Sequence, residues 1–156
     1  MNAVVVVGVV LAVAVLALGV VLAALLGDTG PSTRAHPSAH PAVPVAYVID
    51  GDTFAVAGGD RVRVLGIDSA ERDTVPGRAA TRDARRLLEG RRVVLTAEPG
   101  VDRDAYGRLL RYVTLPDGRD LGEVMVGERH TRVYAGRHDA APAYVARLQV
   151  LDRSKS

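Results

Sequence analysis

Residues Ala3 to Leu26 form an unbroken run of 24 apolar or glycine residues without a charge, and a small water-soluble domain cannot absorb such a run as one face of a helix. As a helix rising about 1.5 Å per residue it would extend roughly 36 Å, more than the roughly 30 Å hydrocarbon core of a bilayer. Residues 1–27 are therefore read as a membrane anchor, spanning once through residues 3–26. The rival reading is a cleavable signal peptide, which wants a basic start, a shorter apolar stretch and a small-x-small exit. Only Met1 and Asn2 precede the run, and Arg34 is the one basic residue soon after it, so the positive-inside rule has little to count.

Asp28 to Pro44 reads DTGPSTRAHPSAHPAVP, polar and rich in Pro and Ser with no apolar period, a flexible linker over residues 28–44. His36 and His40 have the spacing of a helical metal pair, but Pro37 and Pro41 forbid a continuous helix there. With no cysteine, neither a disulfide framework nor a thiolate metal site is possible. The 20 basic residues, all arginine except Lys155, face 18 acidic ones for a net charge of +2, which permits phosphate binding without arguing for it. If the arginines matter, their placement must show it.

A single domain is left for residues 45–156. Val45–Ile49 and Thr53–Ala57 flank Asp50-Gly51-Asp52, a hairpin signal, and Gly58-Gly59-Asp60 turns the chain into Arg61–Leu65. After a loop from Gly66 to Pro76, Arg78–Leu88 places Ala79, Ala80, Ala84, Leu87 and Leu88 on one helical face, with Gly90 as a stop. Val93–Ala97 and Leu109–Thr114 read as a fourth and fifth strand about a polar loop, Glu98–Gly107. Leu121–Val126 and Ala141–Leu151 read as helices. Five strands with two to three helices suit a mainly β, OB-type barrel, while an α+β sandwich stays open on pattern alone.

Three polar clusters carry the chemistry: Asp50-Gly51-Asp52-Thr53, then Arg63 through Glu71 (RVLGIDSAE), then Asp104-Ala105-Tyr106-Gly107-Arg108. Singly each has an ordinary explanation as a turn, a solvated loop or an exposed strand end. Together, in this order, with Asp five positions after Arg63 and Glu three further on, they resemble the staphylococcal nuclease family from about Val45 to Tyr134. The resemblance implies the five-stranded OB-fold barrel and a calcium-dependent nuclease that hydrolyses DNA and RNA with little sequence preference, leaving 3′-phosphate ends.

The implied roles match the needs of phosphodiester hydrolysis, which must neutralise an anion, place and deprotonate a water, and stabilise a pentacoordinate state. The resemblance implies Asp52 and Asp68 as carboxylate ligands of Ca²⁺, a hard cation that takes oxygen donors, with Ser69 contributing its main-chain carbonyl. Glu71 is implied as general base, and Arg63 and Arg108 as the guanidinium pair on one phosphate. Tyr106 resembles a substrate contact, Asp104 a loop acid and secondary contact, and Tyr134 a border of the base-stacking face.

The match departs at Ala70, where the family has a proline, at Ala105, where it has a lysine, and at Gly127-Glu128-Arg129-His130, which lacks an apolar residue after its glycine stop. With no Trp, one Phe and five Tyr must form the aromatic core, and low stability is expected. A catalytically inactive OB-type module that binds nucleic acid or protein is the alternative. Such copies tend to lose the arginine pair or the glutamate, and Arg63, Glu71 and Arg108 all stand here. A monomer is expected, outside the cell on a single-pass anchor or secreted if residues 1–27 are cleaved.

Overall fold

The computed structural model describes residues 40–137 and 139–155. The anchor expected in residues 3–26 lies outside them, and among the described residues no helix is long and apolar enough to cross a membrane.

Five strands close into a barrel in the order β1 (Val43–Val48), β2 (Thr53–Val56), β3 (Arg61–Val64), β6 (Leu109–Thr114) and β5 (Arg92–Thr96). All neighbours run antiparallel except β3 and β6, which pair parallel with Val62 opposite Leu109 and Val64 opposite Arg111. Along β3 the valines point inward and Arg61 and Arg63 outward, the period-2 alternation of a strand with one buried face. Phe54, Val62, Val64, Val93 and Val113 fill the interior almost out of contact with solvent. The barrel class is as expected, and β1 starts at Val43, so the last two residues of the expected linker are strand: Val43 and Pro44 pair with Val93 and Arg92.

Two further strands arise, the first inside the loop expected from Gly66 to Pro76. β4 (Ile67–Ser69) pairs antiparallel with β7 (Thr131–Val133), setting Asp68 opposite Arg132 and Ser69 opposite Thr131. Three-residue strands carry too short a period to read, and only a partner distant in sequence defines them. The first helix, α1 (Val75–Leu88), begins three residues before the expected Arg78. Thr74 caps it, its Oγ1 accepting from Gly77 N at 3.1 Å, and Pro76 lies in the first turn, where a missing N–H costs no hydrogen bond.

The helices α2 (Leu121–Gly127) and α3 (Pro142–Ser154) pack on each other and on β7, with Leu121, Met125, Val126 and Leu148 fully buried between them. Asp120 caps α2 through Glu123 N at 2.9 Å and accepts the Tyr144 hydroxyl at 2.6 Å, tying the two helices. Burial first, then the adjacent Glu98 carboxylate, pushes the Tyr112 hydroxyl up to about 12, so it stays protonated and donates to Glu98 Oε2 while accepting Ala141 N at the start of α3. The expected aromatic core is not found: of the aromatics only Phe54 and Tyr144 are buried, Tyr47, Tyr106 and Tyr134 are exposed, and branched aliphatics with Met125 fill the space.

The irregular segment after α2 is held by the one lysine. Lys155 Nζ donates to the carbonyls of Val126, Glu128 (2.8 Å) and Thr131, and its charge faces Asp152 at 3.3 Å. An ammonium group has three donors, and all three are used here. Asp152 in turn accepts Val133 N at 3.1 Å, so the end of α3 fastens β7. Lys155→Met, which keeps the apolar stem and strands three carbonyls, is expected to destabilise the domain by about 1–3 kcal/mol in urea unfolding; an unmoved midpoint would contradict this account of the segment.

Candidate active site

The turn between β1 and β2 carries the first acidic group. Asp50 Oδ1 accepts Asp52 N at 3.1 Å, and burial, then the neighbouring Asp52 charge, raises the Asp50 carboxyl above its ordinary value. The turn packs closely on its neighbours: a Cβ on Gly51 would stand 2.6 Å from Ser69 Cβ and 2.8 Å from Ala80 Cβ, so only glycine lets the hairpin meet β4 and α1.

That approach brings Asp52 into the centre of a network. The side chain is only 7% exposed. Oδ2 accepts Ser69 N at 2.7 Å, and Oδ1 accepts Thr53 Oγ1 at 3.0 Å and faces Arg63 Nε at 3.2 Å. Arg63 stands directly across from Thr53 in the β2–β3 register, which is why the two meet Asp52 from the same side. The same guanidinium donates from Nη2 to Asp68 Oδ1 at 3.2 Å and from Nη1 to Val64 O at 2.7 Å. Asp68 is mostly open to solvent, in contrast to Asp52.

Arg108 reaches the network from the end of the loop before β6. Its Nη1 donates to Thr53 Oγ1 at 3.3 Å and its Nε to Asp104 Oδ2 at 2.6 Å. Thr53, given no site role by the sequence, is thus the hydroxyl joining Arg108 to Asp52 and so to Arg63. Asp104 also accepts the backbone N–H groups of Tyr106 and Arg108. Burial works against its ionisation, but these hydrogen bonds and the Arg108 charge hold the carboxyl below its ordinary value. Asp104 therefore commits its oxygens to fixing Arg108, and an anion is poorly suited to touch phosphate itself.

Tyr106 is 76% exposed, with the Arg108 guanidinium 5.5 Å from its ring centroid. Arg63, Arg108, Tyr106 and Tyr134 line one cleft of about 270 Å³, joined by Arg137, a residue that nothing local in the sequence singles out. Among the described residues, Arg63 keeps a second N–H on each terminal nitrogen, and Arg108 keeps Nη2 whole. Two guanidinium forks with spare donors at the head of an open cleft suit an anion with several oxygens.

Residues 61–154 match the model of the family described as staphylococcal nuclease homologue. The chain belongs to this family. Two proteins named "Uncharacterized endonuclease", one from Escherichia coli O157:H7 and one from Escherichia coli, are each 36% identical over 93 residues, covering 58% of this chain and 59% of theirs. The chain spans about three-fifths of the length of these curated relatives. The family match takes in Arg63, Asp68, Ser69, Glu71, Asp104, Tyr106 and Arg108 and begins after Asp52. The hydrogen bond from Ser69 and the ion pair to Arg63 connect Asp52 to the matched residues.

Glu71 lies on the exposed loop between β4 and α1, its carbonyl accepting Thr74 N at 2.9 Å and Thr74 Oγ1 at 2.6 Å. Its charge is felt at Asp68, whose carboxyl is raised by partial burial first, then by Asp52, with Glu71 adding and Arg63 offsetting part of the rise. Asp52 and Asp68 share the single Arg63 guanidinium and Asp68 also feels Glu71, which leaves an excess of negative charge. Among the described residues no cluster of three or more His, Cys, Asp or Glu forms a protein-only metal cage. Asp52 and Asp68 with the Ser69 carbonyl are nevertheless hard oxygen donors, and that donor set and excess charge fit a hard divalent cation whose other positions are left to water and substrate.

Gly77 fixes the Glu71 loop, because a Cβ there would fall 1.9 Å from Glu71 O. Gly77→Ala is therefore expected to force the Glu71 loop off the start of α1 and to destabilise the domain by about 1–3 kcal/mol in urea unfolding. An unchanged unfolding midpoint for Gly77→Ala would refute that dependence.

Proposed function

We propose that this chain is a calcium-dependent nuclease acting on DNA and RNA with little sequence preference and leaving 3′-phosphate ends. The observation that carries the reading is the shared network in which Thr53 and Asp52 connect the Arg63 and Arg108 guanidinium groups, leaving unused donors on both at one cleft.

In this reading a scissile phosphate lies between the two guanidinium groups, whose spare N–H donors take its non-bridging oxygens. As those oxygens gain charge in the pentacoordinate state, fixed forks stabilise them without reorganising. Glu71 accepts the proton of the attacking water at its exposed carboxylate, the new bond from water oxygen to phosphorus forms as the bond from phosphorus to the 5′ oxygen breaks, and the departing oxyanion takes a proton from solvent to become the 5′-hydroxyl. Ca²⁺ held by Asp52, Asp68 and the Ser69 carbonyl supplies further charge neutralisation at the phosphate when bound. Asp104 orients Arg108, and the exposed Tyr106 and Tyr134 rings border the cleft where a base can stack.

A nonspecific nuclease is a hazard beside a genome, and free Ca²⁺ is more plentiful outside cells. We place the domain outside the cytoplasm, tethered as a monomer through residues 3–26 or released if that segment is cleaved. A reporter fused after Ser156 should be active only on the outer side.

The purified protein should cleave single-stranded DNA with Ca²⁺ and stop on chelation. Folded protein that binds DNA but cleaves nothing with any divalent cation would favour the inactive binding module. Glu71→Gln should lower kcat about 10²–10⁴-fold with KM little changed, as for loss of a general base. Arg63→Lys should also slow turnover, because an ammonium cannot span Asp52, Asp68 and a phosphate in one plane.

A further inference from the structure

A second basic groove lies between the end of β1 and α1. Its volume is about 650 Å³, and its lining includes Tyr47, Arg72, Arg78, Arg82 and Arg85 with no acidic residue. We infer that this groove is a second nucleic-acid contact, taking the phosphates and one base of a single strand that runs beyond the cleavage point. The inference rests on the proposed nuclease reading for its biological sense; the groove's chemistry stands on its own residues.

The strand β1 presents Tyr47 through a defect. Val45 pairs with Val56 and Tyr47 with Ala55, so Ala46 is an extra residue, a β-bulge. Strict alternation from the inward Val45 would turn Tyr47 into the barrel. The bulge resets the phase, leaving Ala46 and Tyr47 both outward and Val48 inward. The ring is consequently 59% exposed. A large aromatic turned to solvent above an arginine-lined groove is a stacking platform for an unpaired base.

The arginines form a row. Arg78, Arg82 and Arg85 are four and three residues apart, hence on one face of α1, rising about 6 Å and then about 4.5 Å along its axis. Each strand of a duplex carries one phosphate per about 3.4 Å of helix axis, and an unstacked single strand spaces them more widely, so the row offers about one cation per nucleotide. The charges are little neutralised. Arg85 faces Glu89 at 3.4 Å and Arg72 faces Asp73 at 3.8 Å, both exposed pairs of the weak kind, and Arg78 donates to the neutral Asp73 carbonyl. Arg82 forms no ion pair among the described residues.

Continuity selects the occupant. Tyr47 is three residues before Asp50, where the catalytic turn begins, and Arg72 directly follows Glu71. One end of the groove therefore adjoins the cluster in both chain segments that line it. A single strand satisfies the phosphate row and the lone ring together. A duplex keeps its bases stacked, and an acidic peptide would engage the arginines without needing the ring.

The test uses the full-length protein and two substrates, a dinucleotide and a single-stranded DNA of about 40 nucleotides, several times the roughly 4–16 that one OB fold covers. The triple variant R78Q/R82Q/R85Q should raise KM for the long substrate at least about ten-fold and leave the dinucleotide kcat/KM within about two-fold. Anisotropy of the labelled long DNA in chelator should show the slope of log K against log salt shallower by about two, near 0.7 for each lost phosphate contact. Tyr47→Ser should weaken that binding without changing the slope. A matched variant away from the groove, R119Q/R147Q/R153Q, should do neither.

Wild-type behaviour of the groove triple, or an equal loss in the matched variant, overturns the proposal. So does polyglutamate competing as well as DNA with no effect of Tyr47→Ser, which would mark an acidic-protein surface. If no protein cleaves either substrate, the nuclease reading fails by itself, and the anisotropy measurements still decide the groove.

Discussion

The Asp52 carboxylate is the point on which the site depends. A carboxylate this far from water is costly unless paired and hydrogen-bonded, and its partners come from four places: Thr53 on β2, Ser69 on β4, Arg63 on β3 and, through Thr53, Arg108 ahead of β6. Satisfying one buried acid therefore fixes the relative positions of all three polar clusters. Removing Asp52 would strand Ser69 N and leave Arg63 with only the solvent-exposed Asp68 as a charged partner. The close fit of Gly51 against Ser69 and Ala80 makes this arrangement sterically possible.

The abundance of arginine takes on meaning only through this packing. Much of it is fastening. Arg103 joins the 98–108 loop to Asp60 at 3.0 Å, Arg61 holds the Tyr106 carbonyl at 3.2 Å, and Arg111 pairs with Asp102. These contacts set the loop that delivers Arg108, so composition near neutrality and a strongly directional cleft coexist. Arg63 and Arg108 differ from the fasteners in keeping unused donors where the cleft opens.

How much was legible in the sequence varied with how local the cause was. The strands of the barrel were visible because alternating valine and polar residues with Gly-containing turns encode themselves within a few residues. The start of α1 is hidden in the sequence, because Thr74 and Pro76 read as loop without the cap bond to Gly77. The β4–β7 ribbon was invisible because each strand is three residues long and its partner lies more than 60 positions away. The segment Gly127–His130 reads as irregular in the sequence because the lysine satisfying its carbonyls comes from the end of α3.

The sequence by itself determined the family, the residue types of the site and their order, because Asp, Glu and Arg at these spacings carry the chemistry in their functional groups. Tertiary structure decided how those groups are used. It made Thr53 the junction between two arginines, directed Asp104 onto Arg108, and placed Tyr134 and Arg137 in the cleft. It also used one bulged residue to turn Tyr47 out to solvent. Each of these depends on distances between segments remote along the chain, set by barrel closure and the packing of α1, and no local pattern of residues encodes such a distance.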